Sequence, residues 1–470
     1  MSDAGDLPEG WAEAQLSTIT SKIGSGATPR GGSNAYQPSG IPLIRSQNVH
    51  FDGFNTDGLA FLDDAQAAAL DGVKVHSNDV LLNITGASIG RVCLAPGIMG
   101  GARVNQHVAI IRLSGALEPS LLSLYLRSPA IQNRINTEEY GVTRQALTKG
   151  WISDLLVPLP PQPEQDRIVE KVEALLDHAS KVEERLDRVH AILKRFRQAV
   201  LAAACSGRLT DDWRARASCA PAIEIEGLPG WRRRTVGDLV EVATGATPLR
   251  KNPAYYKGGK VPWVKSGAVN RDPIMEADEF ITEKAIRETN AKVFPAGTLV
   301  MAMYGEGATR GKVAELGIPC ATNQALAALI FSDTASDLRH FLKLALQSQY
   351  DAMREDAAGG VQPNLSLGAI RDIEVDVPPP GEQAEIVRIV QRMFTLADAI
   401  EARVTAAAAR ANKLPQAILS KAFRGELVPT EAELARAEGR PFESAEEMLK
   451  RVTKEQPVTR AKKTRRRAPA

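Results

Sequence analysis

The 470-residue chain contains no run of 18 or more apolar residues, the length a membrane-spanning helix requires. Its first residues, Met1-Ser2-Asp3, lack the pattern of a secretory signal, so a cytoplasmic protein with no membrane partner is expected. Cysteine is scarce: Cys93, Cys205, Cys219 and Cys320 form no C-x-x-C pair and read as ordinary reduced thiols. The six histidines are scattered, without an H-E-x-x-H pair or cysteines at metal-ligand spacing. Gly305 to Lys312 fails as a phosphate loop because Glu306 stands where glycine is needed and Val313 where a hydroxyl is needed. Gly24-Ser25-Gly26 fails as a dinucleotide loop at Pro29, and no Asn-Pro-Pro-aromatic stretch occurs. The chain therefore reads as noncatalytic, with no cofactor and no metal of its own.

What is present is a long helical seam, and it occurs twice. Ile168, Val172, Leu175, Ala179, Val182, Leu186, Val189, Leu193, Phe196 and Val200 alternate at spacings of four and three, one stripe of a coiled-coil helix. The same stripe returns 218 positions later, from Ile386 and Val390 to Leu414 and Ile418. Helices of ~40 residues span ~60 Å, long enough to hold two domains apart. Both are entered through proline (Pro158-Leu159-Pro160-Pro161 and Pro378-Pro379-Pro380) and left at Gly207 and Gly425. Two core helices of a bundle are the plainer reading, but a bundle has no need of matched length and register. Because the order is domain, helix, domain, helix, full-length pairing requires an antiparallel pair, with the domains related by a pseudo-two-fold axis. Pro415 should kink the second helix in its last turns.

The segments before each helix also repeat. Leu228-Pro229-Gly230-Trp231 answers Leu7-Pro8-Glu9-Gly10-Trp11, and Gly245-Ala246-Thr247-Pro248 answers Gly26-Ala27-Thr28-Pro29. Asn323-Gln324 answers Asn105-Gln106, and Gly311-Lys312-Val313 answers Gly90-Arg91-Val92. Strands are expected at 42–45, 80–84 and 107–113, and a helix at 120–138, giving an α+β globule. The frame is shared and the residues between are not, which suggests one scaffold presenting different side chains. At its Gly-rich turns stand Thr28, Arg45, Asn48, Thr85, Ser88, Arg91, Asn105, Gln106, Thr143, Arg144 and Gln145, then Thr247, Lys265, Tyr304, Thr309, Lys312, Asn323 and Gln324. Arg and Lys can read guanine, and Asn and Gln adenine, although any one of them can equally make a turn bond or a phosphate contact. Asn105 and Asn323, kept in both copies, suit a scaffold role. The net charge is +2, but residues 451–470 hold eight basic residues against one acidic, so the preceding 450 carry −5. From Arg250 to Arg271 there are six basic residues, including Lys251 and Lys265, and no acidic one, with Tyr255, Tyr256 and Trp263 among them. That run fits a phosphate backbone or a solvated charged face.

These motifs, together with Pro-Leu-Pro-Pro-Gln-Pro-Glu-Gln at 158–165, Leu-Lys-Arg-Phe-Arg-Gln-Ala-Val-Leu at 193–201, Gln-Ala-Glu-Ile-Val at 383–387 and Gln-Ala-Ile-Leu-Ser-Lys-Ala-Phe-Arg-Gly-Glu-Leu at 416–427, resemble the specificity subunits of type I restriction–modification enzymes. The resemblance implies two target recognition domains, 1–157 and 208–377, each reading one half of a bipartite site on double-stranded DNA. It implies two spacer helices, 158–207 and 378–428, that dock modification subunits, two in number. A helical, then disordered, basic tail is expected over 429–470. Partner subunits would carry the S-adenosylmethionine-dependent adenine methylation, and restriction subunits the ATP-driven translocation and cleavage. A coiled-coil adaptor whose repeated domains bind proteins is the competing class, against which the basic aromatic run 250–271 weighs.

Overall fold

The computed structural model describes residues 7–139, 146–216, 225–226, 228–304, 309–332, 336–350 and 365–455. The chain divides into two units, residues 1–186 with 407–470 and residues 187–406, so each long helix is shared between them. Each unit is built on an antiparallel four-stranded sheet of one topology. In the first, the order is Thr20–Ser25, Val108–Leu113, Val80–Asn83, Val92–Leu94; in the second it is Glu241–Thr244, Leu326–Ile330, Leu299–Ala302, Val313–Glu315. The central strands are apolar on both faces, because each sheet is covered on both sides: Val80, Leu82 and Ile111 face one cluster, Leu81 and Ile110 another. A smaller sheet is laid out on the same plan twice, with Ile41–Ile44 antiparallel to Ala60–Leu62 and parallel to Arg103–Val104, matched by Val261–Val264 against Glu279–Ile281 and Cys320–Thr322.

A two-stranded ribbon closes each domain where its chain enters and leaves: Ala12–Gln15 pairs with Leu156–Leu159, and Arg232–Thr235 with Glu374–Val377. The long helices start directly beyond. The first runs Gln162–Cys205 and the second Pro380–Ala411. In the first unit Ile168 and Val172 share a core with Leu419 and Ala422; in the second Val200 and Ala204 share one with Ile386 and Val390. The start of one helix meets the end of the other in each unit, so the pairing is antiparallel, as the order of segments requires. Arg197 reinforces it, donating to Asp398 at 2.6 Å and Glu401 at 2.7 Å.

The acidic residue in each first helical turn has a larger role than complementing a helix dipole. Glu164 and Glu382 are fully buried, and each accepts a hydrogen bond from the tryptophan of the Gly-Trp motif: Trp11 Nε1 to Glu164 at 2.8 Å, Trp231 Nε1 to Glu382 at 3.0 Å. Burial pushes the Glu164 carboxyl up, against hydrogen bonds from the Glu431 N–H and the Trp11 indole. The chain beyond the C-terminal end of each helix pair seals the same carboxylate. Thr210 and Arg214 bind Glu382, and the Glu431 N–H binds Glu164 at 2.8 Å.

Three expectations change. The second helix is broken rather than kinked, with a turn at Asn412-Lys413 before Leu414–Ala422, where Pro415 takes an N-terminal helical position that needs no N–H donor. The helix expected at 120–138 is two, Pro119–Arg127 and Pro129–Glu139, because proline disfavours helical geometry at Ser128. The segment from 429 is helical, as expected, but as far as it is described it is not a free tail. Helices Glu431–Glu438 and Ala445–Glu455 pack into the first unit, with Ala445 and Met448 buried in its core. The basic stretch 456–470 lies outside the described residues.

Candidate nucleic-acid interface

The Gly-Ala-Thr-Pro turn fits against the Asn-Gln turn so closely that only glycine can stand there. A Cβ on Gly26 would lie 1.8 Å from the Val104 carbonyl oxygen, and one on Gly245 1.9 Å from that of Thr322. Thr28 donates to Gln106 and Thr247 to Gln324, the same bond in both domains. Asn105 Oδ1 accepts from the His107 N–H at 3.0 Å and Asn323 Oδ1 from that of Ala325 at 3.2 Å. These repeated bonds make the two turns a rigid frame. Asn48 belongs to the frame as well: it is fully buried, and its amide serves Arg45 N, Asn55 O and Asp57 O.

On this frame the first domain opens an ~550 Å³ cleft lined by Ser46, Gln47, Thr85, Gly86, Ala87, Ser88, Arg91 and His107. Three sequence-predicted residues, Thr85, Ser88 and Arg91, thus meet on one loop. Thr85 bonds His107 Nδ1, Gln106 reaches His107 Nε2 at 3.0 Å, and Asn83 holds Ser88 at 3.1 Å. The Arg91 side chain makes no hydrogen bond or ion pair among the described residues. Arg45 lies beside the cleft, stacked over Tyr36 at 5.4 Å and donating to the Gly58 carbonyl. Gln47 and His107 were not singled out from sequence. The signal for His107 is its place directly after a shared turn, where the second copy has Ala325.

In the second domain the matching loop is two residues longer, running from Ala302 to Gly311 where the first runs from Asn83 to Gly90, with the same closing bonds. Tyr304 is exposed at one end, Thr309 caps the turn to Lys312, and Lys312 Nζ donates to Asn270 at 2.7 Å. The basic run is less positive than its sequence suggests. Glu279, from a strand beyond the run, binds Arg250 and, at 2.5 Å, Lys265, while Asp278 takes Arg271 at 2.8 Å. Hydrogen bonds from Arg250 and Lys265 hold the Glu279 carboxyl down at about 2. Lys251, Lys257 and Lys260 are exposed and have no partner among the described residues. The Tyr255 hydroxyl is occupied by Glu288 at 3.3 Å. Arg144 lies outside the described residues.

Two copies of one frame, each carrying its own polar edge, also match a known sequence profile. The family described as "Type I restriction modification DNA specificity domain" matches residues 8–189 and again 229–408. The chain belongs to this family. Among specificity subunits, that of the type I restriction enzyme StySPI of Salmonella potsdam is 28% identical over 98% of this chain and 99% of its own length. The EcoKI specificity subunit of Escherichia coli is 28% identical over 90% of each. Two solved structures share the fold. One, from work on complex assembly and conformational transition of the type I R-M system, gives a TM-score of 0.69 at 22% identity, covering 90% of this chain and all of its own. The other, the HsdS subunit of Thermoanaerobacter tengcongensis, gives 0.58 at 21%, covering 90% and 99%.

Proposed function

We propose that this chain is the DNA-reading subunit of a type I restriction–modification enzyme, with one domain for each half of a bipartite site and with methylation and cleavage carried by partner subunits. The observation that carries this reading is the shared frame with different residues at its edge. Identical turns with Gln106 and Gln324 stand beside two loops that differ in length and in side chains, as two readers of different half-sites would need. Domains at 1–157 and 208–377 and spacer helices at 158–207 and 378–428 suit this function, with the segment from 429 joined to the first domain. Thr85, Ser88 and Arg91, with Gln47 and His107, are the proposed contacts of the first domain, and Arg45 lies beside them. Arg250, Lys251, Lys265, Tyr304, Thr309 and Lys312 are those of the second. Thr28, Asn48, Thr247 and Tyr255 support the frame instead. Exposed Ile192 and Phe196 on the first helix and Leu396 and Ile400 on the second offer an apolar surface for docking modification subunits. No described helix is long and apolar enough to cross a membrane, and we place the complex in the cytoplasm.

The test is methylation sequencing of a methylation-free host carrying the modification subunits with and without this chain. A bipartite motif is expected only with it, and the same motif in its absence would refute the reading. The helices then serve as a ruler. Four residues inserted into both, at Leu186/Asp187 and Ala406/Ala407, where the chain passes between units, add ~6 Å and rotate one domain relative to the other by ~40°. One base pair adds ~3.4 Å and ~34°. Rotation off the groove abolishes base contacts whereas a small axial gap can be absorbed, so the preferred spacer should lengthen by one base pair with both half-sites intact. Selection from duplexes of graded spacer length measures it; an unchanged spacer in an assembled complex contradicts it.

A further inference from the structure

Where the first domain pairs Leu43 opposite Ala60, the second pairs Trp263 opposite Glu279. That exchange builds a site the first domain lacks. The Arg250 guanidinium lies 4.8 Å from the Tyr256 ring centroid and 4.9 Å from that of Trp263, and its NH1 is bound by Glu279. Two rings and one carboxylate therefore fix both the plane and the direction of the group. Its Nε and NH2, the two donors that project side by side along the remaining edge, make no bond among the described residues. The group lines an open concavity of ~530 Å³ with Pro253, Tyr256, Lys257, Glu279 and Phe280.

Resting on the DNA-reading function above, we propose that Arg250 is a specificity-determining residue: its free Nε/NH2 edge reads O6 and N7 of one guanine in the half-site bound by the second domain, and Glu279 is its positioning residue. Two acceptors on one flat edge match two parallel donors. A phosphate oxygen pair could accept from the same fork, but the chemistry of the site disfavours it. The Glu279 carboxylate disfavours a full anion more than the partial charges of a neutral base edge, and its charge offsets half of that of Arg250 and Lys265. Exposed, unpartnered Lys251, Lys257 and Lys260 supply the charge a phosphate backbone needs. A fixed fork also loses little freedom on binding, which favours discrimination over bulk attraction.

Two measurements on the assembled complex test this. In methylation sequencing, Arg250→Lys keeps the charge and removes the fork; one guanine position in one half-site should relax about ten- to a hundredfold, with the other half-site unchanged. Glu279→Gln should weaken selection at that same position. Independently of any variant's folding, the wild-type complex should lose about tenfold or more in binding when 7-deazaguanine, which lacks N7, replaces guanine at one position of one half-site. An even drop across all sites with an intact motif would show a phosphate contact and overturn the assignment, as would an unchanged motif or indifference to 7-deazaguanine at every position. A motif that does not depend on this chain at all would defeat the DNA-reading function itself.

Discussion

Replacing Glu382 with Ala is expected to strip amide protection from the second unit while leaving the first intact. The carboxylate is fully buried and answers three donors: Trp231 Nε1 at 3.0 Å, Thr210 Oγ1 at 2.7 Å, and Arg214, itself only 12% exposed. Removing it leaves the indole N–H without an acceptor and takes from Thr210 and Arg214 their buried one. Arg214 keeps Asp211 and the Gly207 carbonyl, and Thr210 that same carbonyl at 3.3 Å, so the cost should lie near the lower end of the about 3–5 kcal/mol of a broken buried ion pair. Trp231 also packs edge-on against Phe341, with centroids 6.1 Å apart, so disorder at the indole reaches the core of the sheet. Hydrogen exchange of Leu326–Ile330 should accelerate a hundredfold or more, while Val108–Leu113, the matching strand of the first unit, keeps its protection. Glu382→Gln, which retains an acceptor and the shape, should lose less. Equal protection of the two strands in the Ala variant would show that the carboxylate does not hold the second domain to its helix.

Much of this architecture was legible in the sequence because it rests on periodicity and on repetition. The four–three stripe and its return 218 residues later give two long helices, and the antiparallel pairing follows from segment order alone, although the second helix stops at Ala411 and Val182, Phe196, Ile400 and Leu414 of the stripe are exposed. The strand runs at 41–44, 80–83 and 108–113 were visible as short β-rich stretches between turns. The break at Asn412-Lys413 was only partly visible, since proline marks a discontinuity but not whether the helix bends or restarts. The role of the segment after 429 was hidden for a different reason. Its charged composition reads as tail, whereas apolar residues within it, Ala445 and Met448 among them, are buried against a core formed mostly more than 250 residues earlier in the chain.

The candidate interface was legible as loops and not as contacts. Thr85, Ser88 and Arg91 share one cleft because they share one loop, which sequence shows directly. Asn48 and the Thr28–Gln106 pair are the same residue types put to internal use, Asn48 by burial and the pair by the hydrogen bond its two exposed or half-buried members make with each other. Glu279 was invisible because its influence depends on strand register: only pairing opposite Trp263 brings its charge onto Arg250 and Lys265.

The central claim, that each domain independently reads one half of a bipartite site, is tested most directly by exchanging residues 1–157 for the matching segment of another specificity subunit and sequencing the methylation it directs. The segment ends inside the ribbon that closes the first domain, whose strands Ala12–Gln15 and Leu156–Leu159 pair with each other. The graft therefore carries the cleft at Thr85, Ser88 and Arg91 and leaves the second domain's Arg250, Lys265 and Lys312 in place. Individual mismatched base pairs typically cost about 1–3 kcal/mol each, so a changed reader should shift preference at its half-site by orders of magnitude. A motif with one half replaced and the other half and the spacer retained is expected; a motif in which both halves change, or in which neither does, would show that the domains are not independent readers.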